Sequence, residues 1–100
     1  MRVNWSDRAL KRLRGIQRYI AIDNPSSAEA LVQRVLDRAE VLAEHPHIGR
    51  KVPEYNLPDL REVSERPYRI IYQVDADQDR VDILTVKHYR QRLPTYLPDL

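Results

Sequence analysis

Three short segments in the last third of the chain carry basic side chains within apolar and aromatic runs. They are Leu60-Arg61-Glu62-Val63, Tyr68-Arg69-Ile70-Ile71-Tyr72 and the stretch from Val81 to Arg90. Strands favour β-branched and aromatic residues, whereas arginine is rarely buried unless it is paired. We therefore expect neighbouring strands whose basic groups converge on one patch, beside a tyrosine and a histidine. Such a patch could hold a phosphate backbone or the surface of a large partner.

The first half of the chain supplies two helices that would support these strands. Residues 2–5 form a short first strand, and Ser6 is a good N-cap for the helix that follows it. Apolar residues recur at helical spacing from Ala9 to Ile20, and five basic residues lie between them: Arg8, Lys11, Arg12, Arg14 and Arg18. A second helix begins after Asp23 and ends at His45-Pro46, which makes a helical hairpin. Its cap is either Asn24, with Pro25 in the first turn, or Ser26, with Glu29 closing a capping box.

The second half of the chain reads as a loop followed by three strands. Residues 46–59 form the loop, and the strands lie near 60–65, 68–75 and 80–88, with an acidic turn joining the last two. A proline-containing tail covers residues 93–100. The order β-α-α-β-β-β predicts an α+β fold, in which a helical hairpin packs on one face of a small, mostly antiparallel sheet. The other sheet face would be left for a partner or substrate.

Length and composition limit the class of protein. One hundred residues predict a single domain spanning residues 1–100. The chain has no cysteine, which rules out a disulfide framework and a thiolate metal site. His45 and His47 have no ligand cluster around them, so we expect no metal and no cofactor. No apolar stretch approaches the ~20 residues of a membrane span and no signal peptide is visible, so we expect a soluble, cytoplasmic protein without membrane contact.

The net charge of the chain is small, and most of its cations are arginines. Fourteen arginines accompany three lysines, and the formal net charge is only +2. The planar fork of arginine suits phosphate and carboxylate, although a GC-rich genome would produce the same bias. Because the net charge is low, any contact with nucleic acid must be local.

The ordered set of elements and short motifs resembles the RelE/ParE superfamily of bacterial type II toxins. The resemblance covers Val3 to about Arg92 and rests on these motifs: Trp5-Ser6, Asn24-Pro25, His45-Pro46, Gly49-Arg50, Arg61-Glu62, Tyr68 to Tyr72 and Ile83 to His88. It implies a growth-inhibiting toxin that is wrapped and neutralised by a cognate antitoxin, in a higher-order hetero-oligomer. Some members bind the ribosomal A site and cleave mRNA, ParE-type members poison DNA gyrase, and many plasmid-stabilisation members have no assigned target. All use the same sheet, so the fold does not identify the target.

Resemblance to the ribosome-dependent nucleases implies a metal-independent catalytic set. Glu54 would be the general base, Arg69 would neutralise the phosphate, and His88 or Tyr89 would be the general acid. The target-binding residues would be Arg50, Arg61, Lys87 and Arg90.

Each of these residues also has a purely structural interpretation. Glu54 would be a solvated loop acid, and Tyr89 would pack at the end of a strand. Alternation places Arg69 on the face opposite Tyr68, where a salt bridge to Glu62 or Glu65 is as well supported as catalysis. His88 would extend a half-buried strand.

The charge distribution favours a ParE-like, non-enzymatic toxin with gyrase as its first candidate target. Three lysines, and nine acids in the second half of the chain, suit a ribosome poorly as a partner. The Asn24-Pro25 and Gly49-Arg50 motifs also look ParE-like. The alternative is a ribosome-dependent mRNA endoribonuclease. A third possibility is a degenerate toxin kept only as an antitoxin-binding partner.

Overall fold

The computed structural model describes residues 1–100 and contains two helices and five strands. The elements are β1 (Arg2–Trp5), α1 (Asp7–Ala21), α2 (Pro25–Glu40), β2 (Arg50–Lys51), β3 (Leu60–Glu65), β4 (Tyr68–Asp75) and β5 (Arg80–His88), with short 3-10 turns at Val41–Ala43 and Leu97–Asp99. The predicted α+β fold class is confirmed, and the last three strands have the predicted bounds. The predicted loop 46–59 additionally contains β2, in which Arg50 pairs with Glu62 of β3.

Side-chain caps fix the start of both helices. The Ser6 hydroxyl accepts a hydrogen bond from the Ala9 amide (3.0 Å), and the Asn24 side-chain oxygen accepts one from the Ser27 amide (3.1 Å). Asn24 is therefore the cap of α2, with Pro25 in the first turn, and the alternative cap at Ser26 is wrong. Neither helix has the combination of length and apolar character that crossing a bilayer requires.

The five strands form one sheet in the order β1-β5-β4-β3-β2. β1 runs parallel to β5, and all other neighbours are antiparallel. One face, here called the helix face, packs against α1 and α2. Its core is built from alternate residues of the strands and the apolar stripes of the helices, among them Ala9, Leu13, Leu31, Val35, Ile70, Tyr72, Val81 and Ile83.

The opposite side of the sheet, here called the second face, is partly covered. Val52, Leu60, Ile71 and Leu100 form a smaller buried cluster there. The tail folds back onto it, because the Arg8 side chain donates to the Pro98 carbonyl (3.0 Å) and the Tyr55 hydroxyl donates to the Pro94 carbonyl. The expectation of an open second face is therefore corrected: apolar side chains from the 46–59 loop and the tail bury part of it.

Candidate functional site

Arg69 lies on the second face and is held by two carboxylates. Its Nη1 and Nη2 atoms donate to the two oxygens of Glu54 at 2.8 and 2.9 Å, which is a bidentate pair. Its Nε donates to both oxygens of Glu62 at 3.2 and 3.3 Å, and Nη2 also donates to Glu62. Only 4% of Arg69 and 2% of Glu62 is exposed. All three guanidinium nitrogens are thus occupied by carboxylate oxygens.

Arg50 completes this arrangement, which we call the ion cluster (Arg50, Glu54, Glu62 and Arg69). Arg50 donates through Nε and Nη2 to Glu62 at 3.3 and 3.2 Å, while most of its side chain is exposed. Two cations and two carboxylates give no net charge. The sequence predicted a converging basic patch on these strands; the structure instead places a charge-balanced cluster there, because loop and strand acids lie beside the arginines.

Strand register and one short loop bring the ion cluster together. Arg69 on β4 is opposite Ser64 on β3, and Glu62 is opposite Ile71, so Glu62 and Arg69 are diagonal neighbours on the same face. The loop that carries Glu54 is tied to β3 by the Val52 amide, which donates to the Leu60 carbonyl (3.1 Å). Glu54 therefore reaches Arg69 from the loop above the sheet.

The electrostatics of the pair stabilise its charged state. Hydrogen bonding from Arg69 lowers the pKa of Glu54 below its usual value, although partial burial opposes the shift. The hydrogen bonds with Glu54 raise the pKa of Arg69, and those with Glu62 add to the rise. A carboxylate with a lowered pKa is a weak base, so the pairing works against proton abstraction by Glu54.

Tyr89 borders the ion cluster. Its ring lies 5.7 Å from the guanidinium carbon of Arg69 and 5.9 Å from that of Arg66, which is within cation–π range. Its hydroxyl forms a hydrogen bond with the Ser64 hydroxyl. The structure therefore brings Glu54, Arg69 and Tyr89 of the predicted catalytic set together.

His88 lies apart from those three residues. It is opposite Tyr68, whose ring belongs to the helix face, and the two rings meet edge to face with centroids 5.5 Å apart. Its Nδ1 accepts a hydrogen bond from the Arg90 amide (3.0 Å). The histidine is thus positioned by an aromatic contact and a backbone turn on the other side of the sheet.

The predicted target-binding residues do not form one surface. Arg50 belongs to the ion cluster, whereas Arg61 donates to the carbonyls of Pro58 and Gly49 at 3.0 and 2.9 Å. Lys87 lines a cleft against α1, and Arg90 is exposed in the turn after β5. The structure contains no group of three or more His, Cys, Asp or Glu side chains arranged to hold a metal ion.

Gly49 and Tyr72 support the site and were not singled out for this role in the sequence. The Gly49 amide donates to the Tyr72 hydroxyl (3.0 Å), and a Cβ at residue 49 would lie 2.4 Å from the Glu62 carbonyl oxygen. Only glycine permits this approach of the loop to β3. The signal in the sequence was the Gly49-Arg50 motif itself, which places a residue without a side chain next to a cluster residue.

Comparison with known proteins identifies the family. The family model described as "ParE toxin of type II toxin-antitoxin system, parDE" matches residues 3–93. The chain belongs to this family. It is a toxin of a type II toxin-antitoxin system. It is 38% identical over 98 residues to the Sinorhizobium fredii protein named "Putative toxin Y4kP", and the match covers 96% of each chain. It is also 30% identical over 90 residues to toxin RelE3 of Caulobacter vibrioides, covering 90% of this chain and 96% of the other.

Solved structures share the fold of this toxin. A chain of the chromosomal ParDE system from P. aeruginosa matches with a TM-score of 0.71 at 23% identity, over 88% of the toxin and 95% of that chain. The isolated E. coli RelE toxin matches with a TM-score of 0.59 at 23% identity, over 98% and 93% of the two chains. A chain of the RelBE2 complex from Mycobacterium tuberculosis matches with a TM-score of 0.63 at 21% identity, over 87% and 95%.

Proposed function

We propose that this toxin inhibits growth in the ParE manner, by binding DNA gyrase without catalysing a reaction, and that a cognate antitoxin neutralises it. The observation that carries the proposal is the occupied guanidinium of Arg69, whose three nitrogens all donate to Glu54 or Glu62. A nuclease would need these donors for the scissile phosphate. Displacing two carboxylates from a buried arginine would leave charges unpaired, which is costly.

The arrangement of the other candidate residues supports the same proposal. Glu54 has a lowered pKa, which makes it a poor base, and its carboxylate is engaged on both oxygens. His88 lies toward the helix face, so it cannot act on a group held at Arg69 without rearrangement. The cluster is thus suited to holding the 46–59 loop against the sheet.

The antitoxin part of the proposal is supported by the named complexes among the structural neighbours, ParDE and RelBE2. In the toxin, β1 is an edge strand of the sheet, and such an edge can accept an added strand. We expect an acidic antitoxin whose C-terminal segment lies over the sheet and the helical hairpin and covers the Arg69 region. Failure of the toxin to bind the product of the neighbouring reading frame would contradict this.

An mRNA endoribonuclease is the second candidate function, and one observation favours it. Glu54, Arg69 and Tyr89 share one side of the sheet, with the Tyr89 ring 5.7 Å from the guanidinium carbon of Arg69. In this alternative, ribosome binding would have to open the ion cluster. A degenerate toxin that only binds the antitoxin would be harmless when expressed alone.

The experiment is a pulse expression of the toxin in bacteria, with DNA and protein synthesis followed separately by label incorporation. We expect DNA synthesis to stop first, with filamentation, and the purified toxin to inhibit gyrase supercoiling. Arrest of protein synthesis first, with transcripts cut inside codons, would establish the nuclease instead.

A matched pair of variants sharpens this test. Tyr89→Phe keeps the ring over Arg69 and removes only the hydroxyl, and Glu54→Gln removes only the charge. A gyrase inhibitor should lose little toxicity in either variant, whereas a nuclease that uses these groups should lose about 100-fold or more in cleavage. Circular dichroism of both variants checks that they are folded.

A further inference from the structure

α1 carries a set of cations that have no acidic partners. Five basic residues lie along it, Arg8, Lys11, Arg12, Arg14 and Arg18, and its only acid is Asp7. None of the five forms a salt bridge. By contrast, Arg34 on α2 pairs with Glu65 at 3.0 Å. α1 therefore carries positive charge outside any salt bridge, although the net charge of the protein is only +2.

A cleft between α1 and the end of β5, here called the α1 cleft, concentrates part of this charge. It has a volume of about 510 Å³, and its lining includes Arg12 of α1 and Lys87 of β5. The remaining lining residues are uncharged or histidine: Gly15, Ile16, Tyr19, Tyr68, Val86, His88 and Gln91. No carboxylate lines the cleft. An anion could therefore enter it without displacing an existing partner.

Burial and neighbouring cations disfavour the charged states of Arg12 and Lys87 in the α1 cleft. Burial lowers the pKa of Lys87, and the neighbouring charges of Arg12 and Arg8 lower it further. Burial also lowers the pKa of Arg12, with a contribution from Arg8. Cations that repel each other in a partly buried site gain from a bound anion.

The remaining cations extend the surface along the helix. Lys11, Arg14 and Arg18 line a second depression of about 420 Å³ together with Asp7 and Leu10. Fifteen helical residues span about 22 Å, and a strand of duplex DNA carries a charge every ~3.4 Å of axis. The basic side of α1 is thus long enough to run beside about six phosphates of one strand.

We propose that α1, together with Lys87, forms a surface that contacts the phosphate backbone of duplex DNA. The inference rests on the proposed function, because gyrase acts on duplex DNA and a toxin bound to it would lie near that DNA. Four of the five α1 cations are arginines, whose forked donors suit phosphate oxygens. An acidic protein segment would also need apolar contacts, and the large exposed apolar side chains here are confined to Tyr19, near the C-terminal end of α1, and Ile22, which follows the helix.

The test is the binding of a fluorescein-labelled DNA duplex of mixed sequence to the purified full-length toxin, followed by anisotropy at several salt concentrations. The logarithm of affinity should fall with the logarithm of salt by about 0.9 per phosphate contact. In the double variant Arg12→Gln/Lys87→Gln we expect a slope shallower by about 1.8. The control Arg34→Gln/Arg38→Gln loses the same charge from α2, where Arg34 is paired and Arg38 donates to the Ser64 carbonyl, and should keep the slope.

The outcomes separate this inference from the proposed function. Absence of DNA binding, or an equal loss of slope in both double variants, would overturn the DNA surface. The proposed DNA surface would also be overturned if an acidic peptide bound through Arg12 and Lys87 and DNA did not bind. Gyrase supercoiling assays on the same proteins test the proposed function separately, since a toxin can inhibit gyrase without binding free DNA.

Discussion

Replacement of Arg69 by methionine should destabilise the toxin strongly, because it leaves Glu62 buried with one partner instead of two. The Glu62 side chain is 1% exposed, and its remaining partner Arg50 is mostly in solvent. Removing one partner of a buried ion pair costs about 3–5 kcal/mol, and because the Arg50 contact is retained we expect a loss of about 3 kcal/mol. For a chain of this size that corresponds to a decrease in melting temperature of roughly 12–24 °C.

A second substitution should reverse most of this loss. In Arg69→Met/Glu62→Leu the buried carboxylate is gone, and apolar side chains of similar size fill the same space. Such replacements are often neutral or stabilising, so we expect at least about 2 kcal/mol to be recovered relative to Arg69→Met. Glu54 needs no buried partner, because 42% of its side chain is exposed. Glu54→Gln alone should therefore cost about 1 kcal/mol or less.

The assay is urea unfolding followed by circular dichroism, with each variant co-expressed with the antitoxin and purified from it. If Arg69→Met lies within about 1 kcal/mol of the parent, the ion cluster contributes little to stability and the magnitude above is wrong. If the double variant is no more stable than the single one, the loss of stability in Arg69→Met does not come from the buried Glu62 carboxylate. A double variant that is folded and still inhibits growth would also show that Arg69 is not needed for toxicity.

Three further predictions concern single positions. Gly49→Ala should destabilise the toxin by about 2 kcal/mol or more in urea unfolding, because the added Cβ would lie 2.4 Å from the Glu62 carbonyl oxygen and 2.6 Å from the Tyr72 hydroxyl. An unchanged stability would mean that the loop shifts without cost. Gly15→Ala should stabilise by about 0.5–1 kcal/mol, since nothing lies within 4 Å of the added Cβ in α1, and a loss of stability would contradict this. The lowered pKa of Glu54 contributes stability that is present above the unfolded pKa near 4.3 and is lost as pH falls through the folded value. Glu54→Gln should therefore flatten the fall in melting temperature between about pH 5 and 3, and parallel curves would refute the assignment.

Most strand bounds and the starts of both helices could be predicted from the sequence because they depend on local patterns, whereas α2 ends at Glu40, before the predicted end at His45-Pro46. Runs of apolar, β-branched and aromatic residues marked β4 and β5, and the apolar stripe of α1 gave its extent, with Ser6 as its cap. The two-residue strand β2 has no such pattern. It exists because Gly49 lets the loop approach β3 closely, which is a tertiary contact.

The position of the tail and the burial of Arg69 could not be predicted from the sequence, because both depend on tertiary contacts. Leu100 is 4% exposed because it packs on Val52, Leu60 and Ile71, residues that are 29 to 48 positions away. Arg69 was correctly assigned to the face opposite Tyr68, and the structural interpretation of a salt bridge to Glu62 holds. What the pattern could not show was that Glu54, in an irregular loop, would reach the same guanidinium.

The separation of His88 from the rest of the predicted site follows from strand geometry. Arg69 is opposite Lys87, so the next residue of β5, His88, must face the other side of the sheet. Tyr89 follows the end of β5, and the turn returns its ring to the side of Arg69. A catalytic set drawn from adjacent residues of one strand therefore cannot act on a single face unless the strand ends between them.

The distribution of charge links the fold to the two proposals. Acids of the 46–59 loop and β3 neutralise the arginines of the second face, where their buried pairing holds the loop in place. The cations of α1 and Lys87 have no such partners, so α1 and the adjoining end of β5 carry positive charge outside any salt bridge. A partner that is recognised by charge is therefore expected on the hairpin side, while one that is recognised by shape is expected on the rigid second face. This division predicts that salt should weaken DNA binding steeply and gyrase binding only slightly, because the arginines of the ion cluster are already paired within the toxin and leave few free charges there for salt to screen.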